Sequence, residues 1–236
     1  MKPFLLIFLL CCTIKMKAQQ KLRPSFDLTV AAGSSQGILS LGAWHHWKFG
    51  KKQRLEIGLG PRISAYSGSK KDFWTAPASI SRGSTTPFLV VFSSQETQHW
   101  DTLTVQRPLV VSFNAAIQLA YRISPKFRVG VNIDLIGLSV GRNSPAIFTT
   151  DGQQQSVEAK PLSLNLLLTG DLDKGSLNSE FFLTYQLNDK WGLRGIYQFY
   201  FAEYQTRVDI QEVPEPNDRF RNKANLLGLG LTYSLN

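Results

Sequence analysis

The feature that most constrains the fold is an alternation of side chains with a period of two, kept up over long runs. From Leu109 to Ile123 every odd position is apolar, and the even positions are mostly small or polar. Successive side chains of a β-strand point to opposite faces, so such a segment has one apolar face and one wetter face. The run covers about 15 residues, whereas strands of soluble proteins average about 5 to 6. The pattern therefore predicts strands that are long for a soluble domain.

The same alternation recurs along most of the chain and predicts an all-β fold. A soluble sandwich also alternates, but its strands are shorter, whereas a strand of about 9 to 11 residues can cross a bilayer. We predict eight strands, near residues 25–33, 37–49, 53–67, 103–123, 127–141, 178–188, 191–205 and 222–236. The apolar segment 161–171 would be a ninth strand and would break the even number that closure requires. We therefore assign that segment to a loop.

The connections between the predicted strands are short at one end and long at the other. Tight turns lie near Gly50, Pro125 and Asp189, and long polar segments include 67–102 and 142–177. Aromatic residues near the tight turns and in the last strand are typical of a membrane interface; they are Trp47, Phe49, Tyr121, Phe127, Tyr185, Trp191 and Tyr233. The sequence thus predicts an eight-stranded antiparallel up-and-down transmembrane β-barrel with long extracellular loops.

The N-terminus has the features of a secretory signal peptide. Lys2 precedes an apolar run from Phe4 to Cys12, and the small residue Ala18 stands before the expected cleavage site. The apolar run is too short to span a bilayer as a helix. We therefore divide the chain into a signal peptide, 1–18, and an outer-membrane β-barrel domain, 19–236. Cleavage would remove both cysteines, so we expect neither a disulfide nor a cysteine metal site in the mature chain.

If the apolar face of each strand meets lipid, the other face lines a narrow lumen. Nine charged residues have the phase of this inner face: Asp27, Arg54, Glu56, Arg62, Arg122, Arg128, Asp134, Glu180 and Arg194. Isolated buried charges are costly, and the interior of an eight-stranded barrel is only just wide enough for side chains. We therefore predict that these groups pair and plug the lumen. A narrow solute channel is the alternative.

Other classes of function have weaker support in the residues. The chain has three histidines; His45 and His46 are neighbours on a strand and point to opposite faces, and His99 lies in a predicted loop. No spacing typical of a metal site is present, so we expect no enzyme, metal or cofactor, with a lipid-modifying barrel enzyme as the least favoured alternative. The positive charges are scattered, so we expect no nucleic acid partner. A soluble exported carrier of the lipocalin kind would need an apolar interior.

Several segments resemble a known family. The hairpins AYRISPKFRVGV and TYQLNDKWGLRG, the segment DKGSLNSE and the last strand LLGLGLTYSLN are similar to the small bacterial outer-membrane proteins grouped as the outer membrane protein beta-barrel domain, including PorT-like and OmpX- or OmpW-like barrels. The resemblance implies contact with outer-membrane lipid and with the barrel insertion machinery. Many such barrels end in Phe or Trp, whereas this chain ends in Asn236.

Fold alone does not define a function, so the role must come from particular sites. We expect a structural or binding role, in which the predicted loops 67–102 and 142–177 meet an extracellular ligand or a protein partner. The apolar run PFLVVF, which begins at Pro87, is a candidate hydrophobic tip on the first of these loops.

Overall fold

A computed structural model describes residues 24–83, 85–86 and 93–235 of the chain. The predicted signal peptide, the run PFLVVF and Asn236 lie outside the described residues. Within them the chain forms thirteen strands and one short helix, α1 (Ala78–Arg82). The strands are β1 (Ser25–Gly33), β2 (Gln36–Phe49), β3 (Leu55–Gly68), β4 (Lys71–Thr75), β5 (Thr102–Val105), β6 (Leu109–Arg122), β7 (Phe127–Val140), β8 (Ser144–Thr150), β9 (Gln153–Pro161), β10 (Leu164–Leu166), β11 (Leu177–Gln186), β12 (Trp191–Thr206) and β13 (Arg219–Ser234).

Eight long strands form a closed ring, which we call the lower ring. Its members pair antiparallel in the order β1, β2, β3, β6, β7, β11, β12 and β13. The ring closes because β13 also pairs with β1, where Leu28 lies opposite Leu231. Three tight connections, after β2, β6 and β11, lie at one end of the ring together with both strand ends, Ser25 and Ser234. We call this the turn end. The two-residue connection between β1 and β2 lies at the opposite end.

The prediction of eight strands in total is wrong, because segments assigned to loops contain further strands. β4, β5, β8 and β9 pair side by side and join the upper parts of β13 and β12. Since β12 and β13 pair with each other, these six strands close a second ring, the upper ring. The four added strands have 4 to 9 residues each, too few for the alternation to stand out from the sequence around them.

Segment 161–171 is neither a plain loop nor a spanning strand. Its residues Leu164–Leu166 form β10, which pairs with Ile136–Leu138 at the top of β7. The part of β7 below this pairing contacts β11. β10 therefore extends the wall above β11 and leaves the even number of strands in the lower ring unchanged.

The two rings have interiors of opposite polarity. The upper ring is filled by apolar side chains, in which the ring centroids of Phe73 and Tyr204 lie 4.9 Å apart and those of Phe148 and Phe220 5.7 Å apart. Burial of each such side chain contributes about 1.5–3 kcal/mol to folding. The middle of the lower ring instead buries charged and amide side chains. The apolar core of the molecule thus lies in and just below the upper ring.

The outer surface of the lower ring is apolar. Each of its eight strands exposes large apolar side chains, and Leu227 and Leu229 of β13 are each 70% exposed. A soluble monomer rarely exposes a contiguous apolar patch larger than a few hundred Å². No helix in the part of the chain that the structure describes is long and apolar enough to cross a bilayer.

Candidate functional site

The centre of the lower ring is organised by Arg194, whose side chain is 1% exposed. Arg194 lies on the inner face of β12, where it pairs with Asp27 of β1 and donates a hydrogen bond of 3.0 Å to Glu180 of β11. Its guanidinium also lies 3.9 Å from the centroid of the Phe182 ring. One cation on β12 thus pairs with two carboxylates, one on β1 and one on β11. The pairing offsets the high cost of burying each charge.

Amide side chains complete the coordination of Glu180. Asn132 donates to Oε1 of Glu180 at 2.9 Å, and Gln198 donates to Oε2 at 2.8 Å. The hydroxyl of Thr29 also donates to Oε2, at 3.3 Å. Glu180 therefore accepts hydrogen bonds from four side chains on three strands, which satisfy both of its buried oxygens.

A second pair lies nearer the upper ring. Arg62 of β3 donates from Nε to Asp134 Oδ1 at 2.7 Å, and its Nη2 bonds to the carbonyl of Asn178. Asp134 also accepts from Asn114 Nδ2 at 2.8 Å and from the backbone N–H of Asn178 at 3.0 Å. These contacts cross the lumen between β3, β6, β7 and β11 and fill it at this level.

A third group closes the turn end. Glu56 accepts from Arg122 at 2.9 Å and lies 3.5 Å from Arg128. Gln118 bonds to His46 Nε2 at 2.7 Å and accepts from Arg128. Arg122 lies at the mouth of the ring and its side chain remains 42% exposed.

The structure thus brings eight of the nine predicted inner-face residues into three paired groups. Arg54 is the exception, because it is exposed and precedes β3, which begins only at Leu55. Sequence reasoning missed the uncharged members of these groups, which are His46, Asn114, Gln118, Asn132 and Gln198. Their signal was the same phase of the alternation that identified the charged residues.

The predicted interface aromatics lie on the outer face near the turn end. The ring centroids of Phe127 and Tyr185 are 5.2 Å apart, and those of Trp191 and Tyr233 are 4.7 Å apart. Tyr121 is also exposed, whereas Trp47 and Phe49 are half-buried. The cross-strand pairs form part of a belt around this end of the lower ring.

A further ionic cluster, which we call the outer cluster, lies on the outside of the upper ring. Glu203 of β12 accepts from Arg219 at 2.9 Å and from Arg221 at 2.6 Å. Asp171 accepts from Lys223 at 2.6 Å, lies 3.2 Å from Arg221, and also accepts from Arg82 of α1. The outer cluster thus consists of Arg82, Asp171, Glu203, Arg219, Arg221 and Lys223. Sequence reasoning missed it, although charged residues with the lipid-facing phase at the tops of β12 and β13 were a usable signal.

The pKa values of Asp171, in the outer cluster, and of its neighbour Asp173 are shifted in opposite directions. Burial alone would raise the pKa of Asp171, but hydrogen bonds from Arg82 and Lys223 and the charge of Arg221 hold it below its ordinary value. Burial raises the pKa of Asp173, and a hydrogen bond from the backbone of Leu168 only partly offsets that rise.

An open cleft of about 190 Å³ lies against the outer cluster. Trp74 of β4 and Trp100 form its aromatic wall, with ring centroids 6.2 Å apart and planes inclined at 45°. Asp171, Arg221 and Lys223 line it from the cluster side. The cleft thus combines an aromatic surface with a row of polar groups. Among the described residues, no group of three His, Cys, Asp or Glu residues is placed to hold a metal ion.

The fold and its interior define a class of protein, namely a closed antiparallel β-ring that is polar within and apolar outside. No family model matches the chain, and no curated protein matches it either.

Among solved structures, the chain is similar to Ail, the attachment invasion locus protein of Yersinia pestis, in complex with the heparin analogue sucrose octasulfate. The two are 8% identical, with a TM-score of 0.36 over 92% of this chain and 100% of that chain. Neisserial surface protein A is also 8% identical, with a TM-score of 0.36 over 91% of this chain and 96% of that chain. The toluene transporter TodX of Pseudomonas putida is 8% identical, with a TM-score of 0.23 over 90% and 88%. These structures are outer-membrane β-barrels, but likenesses this loose carry no argument about function.

Proposed function

We propose that the chain is an integral outer-membrane β-barrel with a structural or binding role at the cell surface. The lower ring crosses the bilayer, and the upper ring stands outside as a folded cap. The observation that carries this proposal is the inverted polarity of the lower ring. All eight strands expose large apolar side chains, while Asp27, Asp134, Glu180 and Arg194 are buried inside.

The dimensions of the ring support this placement. A strand that crosses a bilayer needs about 9 to 11 residues, and the outward side chains from Leu227 of β13 to Leu235, one residue beyond its end, are hydrophobic over such a length. A closed ring leaves no unpaired backbone edge in lipid. Short turns and paired aromatics at the turn end are typical of the inner side of the outer membrane, which supports an upper ring on the outside.

The interior supports a closed lumen rather than a solute channel. The ion pairs of Arg194 and Arg62 cross the lower ring at two levels, and the apolar core of the upper ring lies above them. A solute would have to pass both layers. The same buried charges disfavour a lipocalin-like carrier, which needs an apolar interior.

A non-enzymatic role is also the better-supported reading. His46 is 7% exposed and its Nε2 is bound to Gln118, whereas His45 packs against Trp47 on the outer face. Among the described residues, neither the His45 nor the His46 imidazole faces an open cavity in which it could act as a general base.

Membrane fractionation and gel mobility test the proposal together. We expect the protein in the membrane pellet after a carbonate wash, and we expect the unheated protein to migrate differently from the boiled protein because the closed ring resists detergent. Recovery in the soluble fraction without a mobility shift would refute the proposal.

Liposome swelling tests the closed lumen separately. We expect vesicles that contain the folded protein to swell in small sugars or amino acids no faster than empty vesicles, with an open 16-stranded porin as the positive control. Rapid swelling would contradict the plug and leave the membrane placement standing.

A further inference from the structure

The cleft beside the outer cluster lies just above the apolar belt of the lower ring. On β13, Lys223 lines the cleft, and Leu227, which is 70% exposed, belongs to the apolar outer surface of the lower ring. Leu227 lies four positions after Lys223, which is about 13 Å along the strand. If the lower ring spans the membrane as proposed, the cleft opens at the level of the headgroups and first sugars of the outer leaflet.

The aromatic wall of the cleft favours a ligand with a flat apolar face. The side chain of Trp74 is 43% exposed on the outer face of β4, whereas its neighbour Phe73 points into the core. It inclines against Trp100, which lines the same cleft. Exposed indole rings are large, rigid surfaces that bury apolar area at a low cost in conformational entropy. The C–H face of a sugar ring is a surface of this kind.

The polar groups of the cleft favour hydroxyls that both donate and accept. Lys223 uses one N–H on Asp171, and an ammonium group has three donors, so two remain for a ligand. Asp171, whose carboxylate lines the same cleft, supplies the acceptor. Donors and an acceptor thus stand beside the aromatic wall.

Asp171 in the cleft wall disfavours an anionic ligand, although the four cations of the outer cluster outnumber its two carboxylates. The carboxylate of Asp171 forms part of the cleft wall, and the cations around it are already paired with Asp171 or Glu203. A phosphate or sulfate would meet this carboxylate at short range and raise the electrostatic energy. The ion pairs also fix the polar wall before binding, which lowers the entropy that a ligand must offset.

The size of the cleft limits the ligand to one ring. Drug-sized ligands occupy pockets of about 300–1,000 Å³, and this cleft measures about 190 Å³. We propose that the cleft binds a single uncharged sugar unit of a glycan, with Trp74 packed against the ring and Lys223 and Asp171 bonded to its hydroxyls. The sugar belongs either to a free oligosaccharide or to the headgroup of a glycolipid. Only the choice between these sources rests on the membrane placement proposed above.

A glycan array tests the binding. The full chain in detergent is applied to immobilised uncharged, sulfated and phosphorylated mono- and oligosaccharides, and so are the variants Trp74→Ala, Trp74→Phe and the control Trp191→Ala. Trp191 matches Trp74 in residue type and exposure, at 44%, but lies at the turn end. We expect Trp74→Ala to lower retention on the bound glycan at least tenfold, Trp74→Phe to retain part of it, and Trp191→Ala to leave it unchanged.

Three results would overturn the proposal. One is a folded wild-type protein, verified by its gel shift, that is retained by no uncharged glycan. The second is retention that Trp74→Ala leaves intact. The third is stronger retention by sulfated or phosphorylated glycans than by uncharged ones, which would show that the cleft binds an anion instead of an uncharged sugar. None of these results bears on membrane fractionation, so they leave the proposed function separately testable.

The source of the sugar is resolved by presenting the same glycan in two forms. Vesicles that carry it on a glycolipid are compared with the soluble glycan as competitor. At least tenfold tighter binding to the vesicles, lost in Trp74→Ala, assigns the site to a headgroup. Equal affinity for both forms assigns it to a free oligosaccharide.

Discussion

Arg194 illustrates how a single residue can hold together the ion pairs inside the lower ring. It contacts both Asp27 and Glu180, and its own side chain is almost completely buried. Substitution Arg194→Met would keep most of the volume but leave two carboxylates without their cation. Removal of one partner of a buried pair typically costs about 3–5 kcal/mol. We expect a loss of that size in the free energy of unfolding, measured by urea titration in lipid vesicles.

The control for this prediction is Arg54→Met. Arg54 carries the same charge but is exposed and lies before β3. We expect a change within about 0.5 kcal/mol, as for other surface substitutions. Equal effects of the two substitutions would show that Arg194 does not hold the interior together.

Asp171 gives the outer cluster a dependence on pH. Its pKa in the folded state lies below the ordinary value of 3.8. The ion pairs of Asp171 therefore stabilise the upper ring fully above that value, and this stabilisation is lost as the pH falls towards the folded-state pKa. The raised pKa of Asp173 acts in the opposite direction, so the contribution of Asp171 must be isolated by substitution.

We expect Asp171→Asn to destabilise the upper ring at neutral pH and to differ less from wild type between about pH 4 and pH 2. Tryptophan fluorescence during urea titration measures the difference, since Trp74 and Trp100 lie beside Asp171. Asp189→Asn, in an exposed turn, is the matched control. A wild-type to Asp171→Asn difference that stays constant with pH would contradict the assignment.

At this scale the sequence predicted the phase of a side chain better than its partner. The alternation identified the inward charges, because parity is set locally by the strand. It could not pair Arg62 with Asp134 or Glu203 with Arg221, because those contacts depend on how distant strands are placed around the rings. Arg54 was misassigned because phase alone does not show where a strand begins.

At the scale of elements, the outer face of β13 tests the membrane placement directly. Leu229 lies in the middle of the apolar outer face, between Leu227 and Leu231. An Arg on the lipid face costs about 2–4 kcal/mol near the bilayer midplane. We expect Leu229→Arg to lower the free energy of unfolding in vesicles by that amount.

Val208 provides the comparison for Leu229. It is 67% exposed in the connection between β12 and β13, outside the lower ring. We expect Val208→Arg to change stability by less than about 0.5 kcal/mol. If Leu229→Arg were equally harmless, its surroundings would be water and the membrane placement would be wrong.

The upper ring depends on its own apolar core. Phe73 is fully buried there and packs against Tyr204. A Phe→Ala change in a core typically costs about 3–5 kcal/mol. We expect Phe73→Ala to make the upper ring sensitive to protease while the gel shift of the lower ring persists. Loss of the gel shift would show that the two rings unfold as one unit; Val208→Ala controls for the substitution itself.

The long strands were predictable because their alternation continues over many residues, and the short ones were not. The largest difference concerns β6, whose predicted start at 103 belongs to β5. β5 ends at Val105 and β6 starts at Leu109, after Pro108, which has no N–H to donate to a ladder. Pairings such as those of β4 with β13 and β9 with β12 join segments distant in sequence, and no local pattern encodes them.

At the scale of the whole molecule, two rings with opposite interiors are stacked on one another. The lower ring buries charge and exposes apolar side chains, and the upper ring buries apolar side chains as soluble domains do. The change of polarity follows the change of surroundings that we propose, from lipid to water. It also explains why average composition, at 43% hydrophobic residues, did not reveal a membrane protein.

The strands β12 and β13, each of 16 residues, belong to both rings. A pull on the upper ring along these strands would load their backbone hydrogen bonds in shear, many at once, instead of opening them one after another. The upper ring is thus fastened without a flexible tether. A force on a molecule bound to the upper ring would therefore be transmitted directly to the wall of the lower ring through β12 and β13.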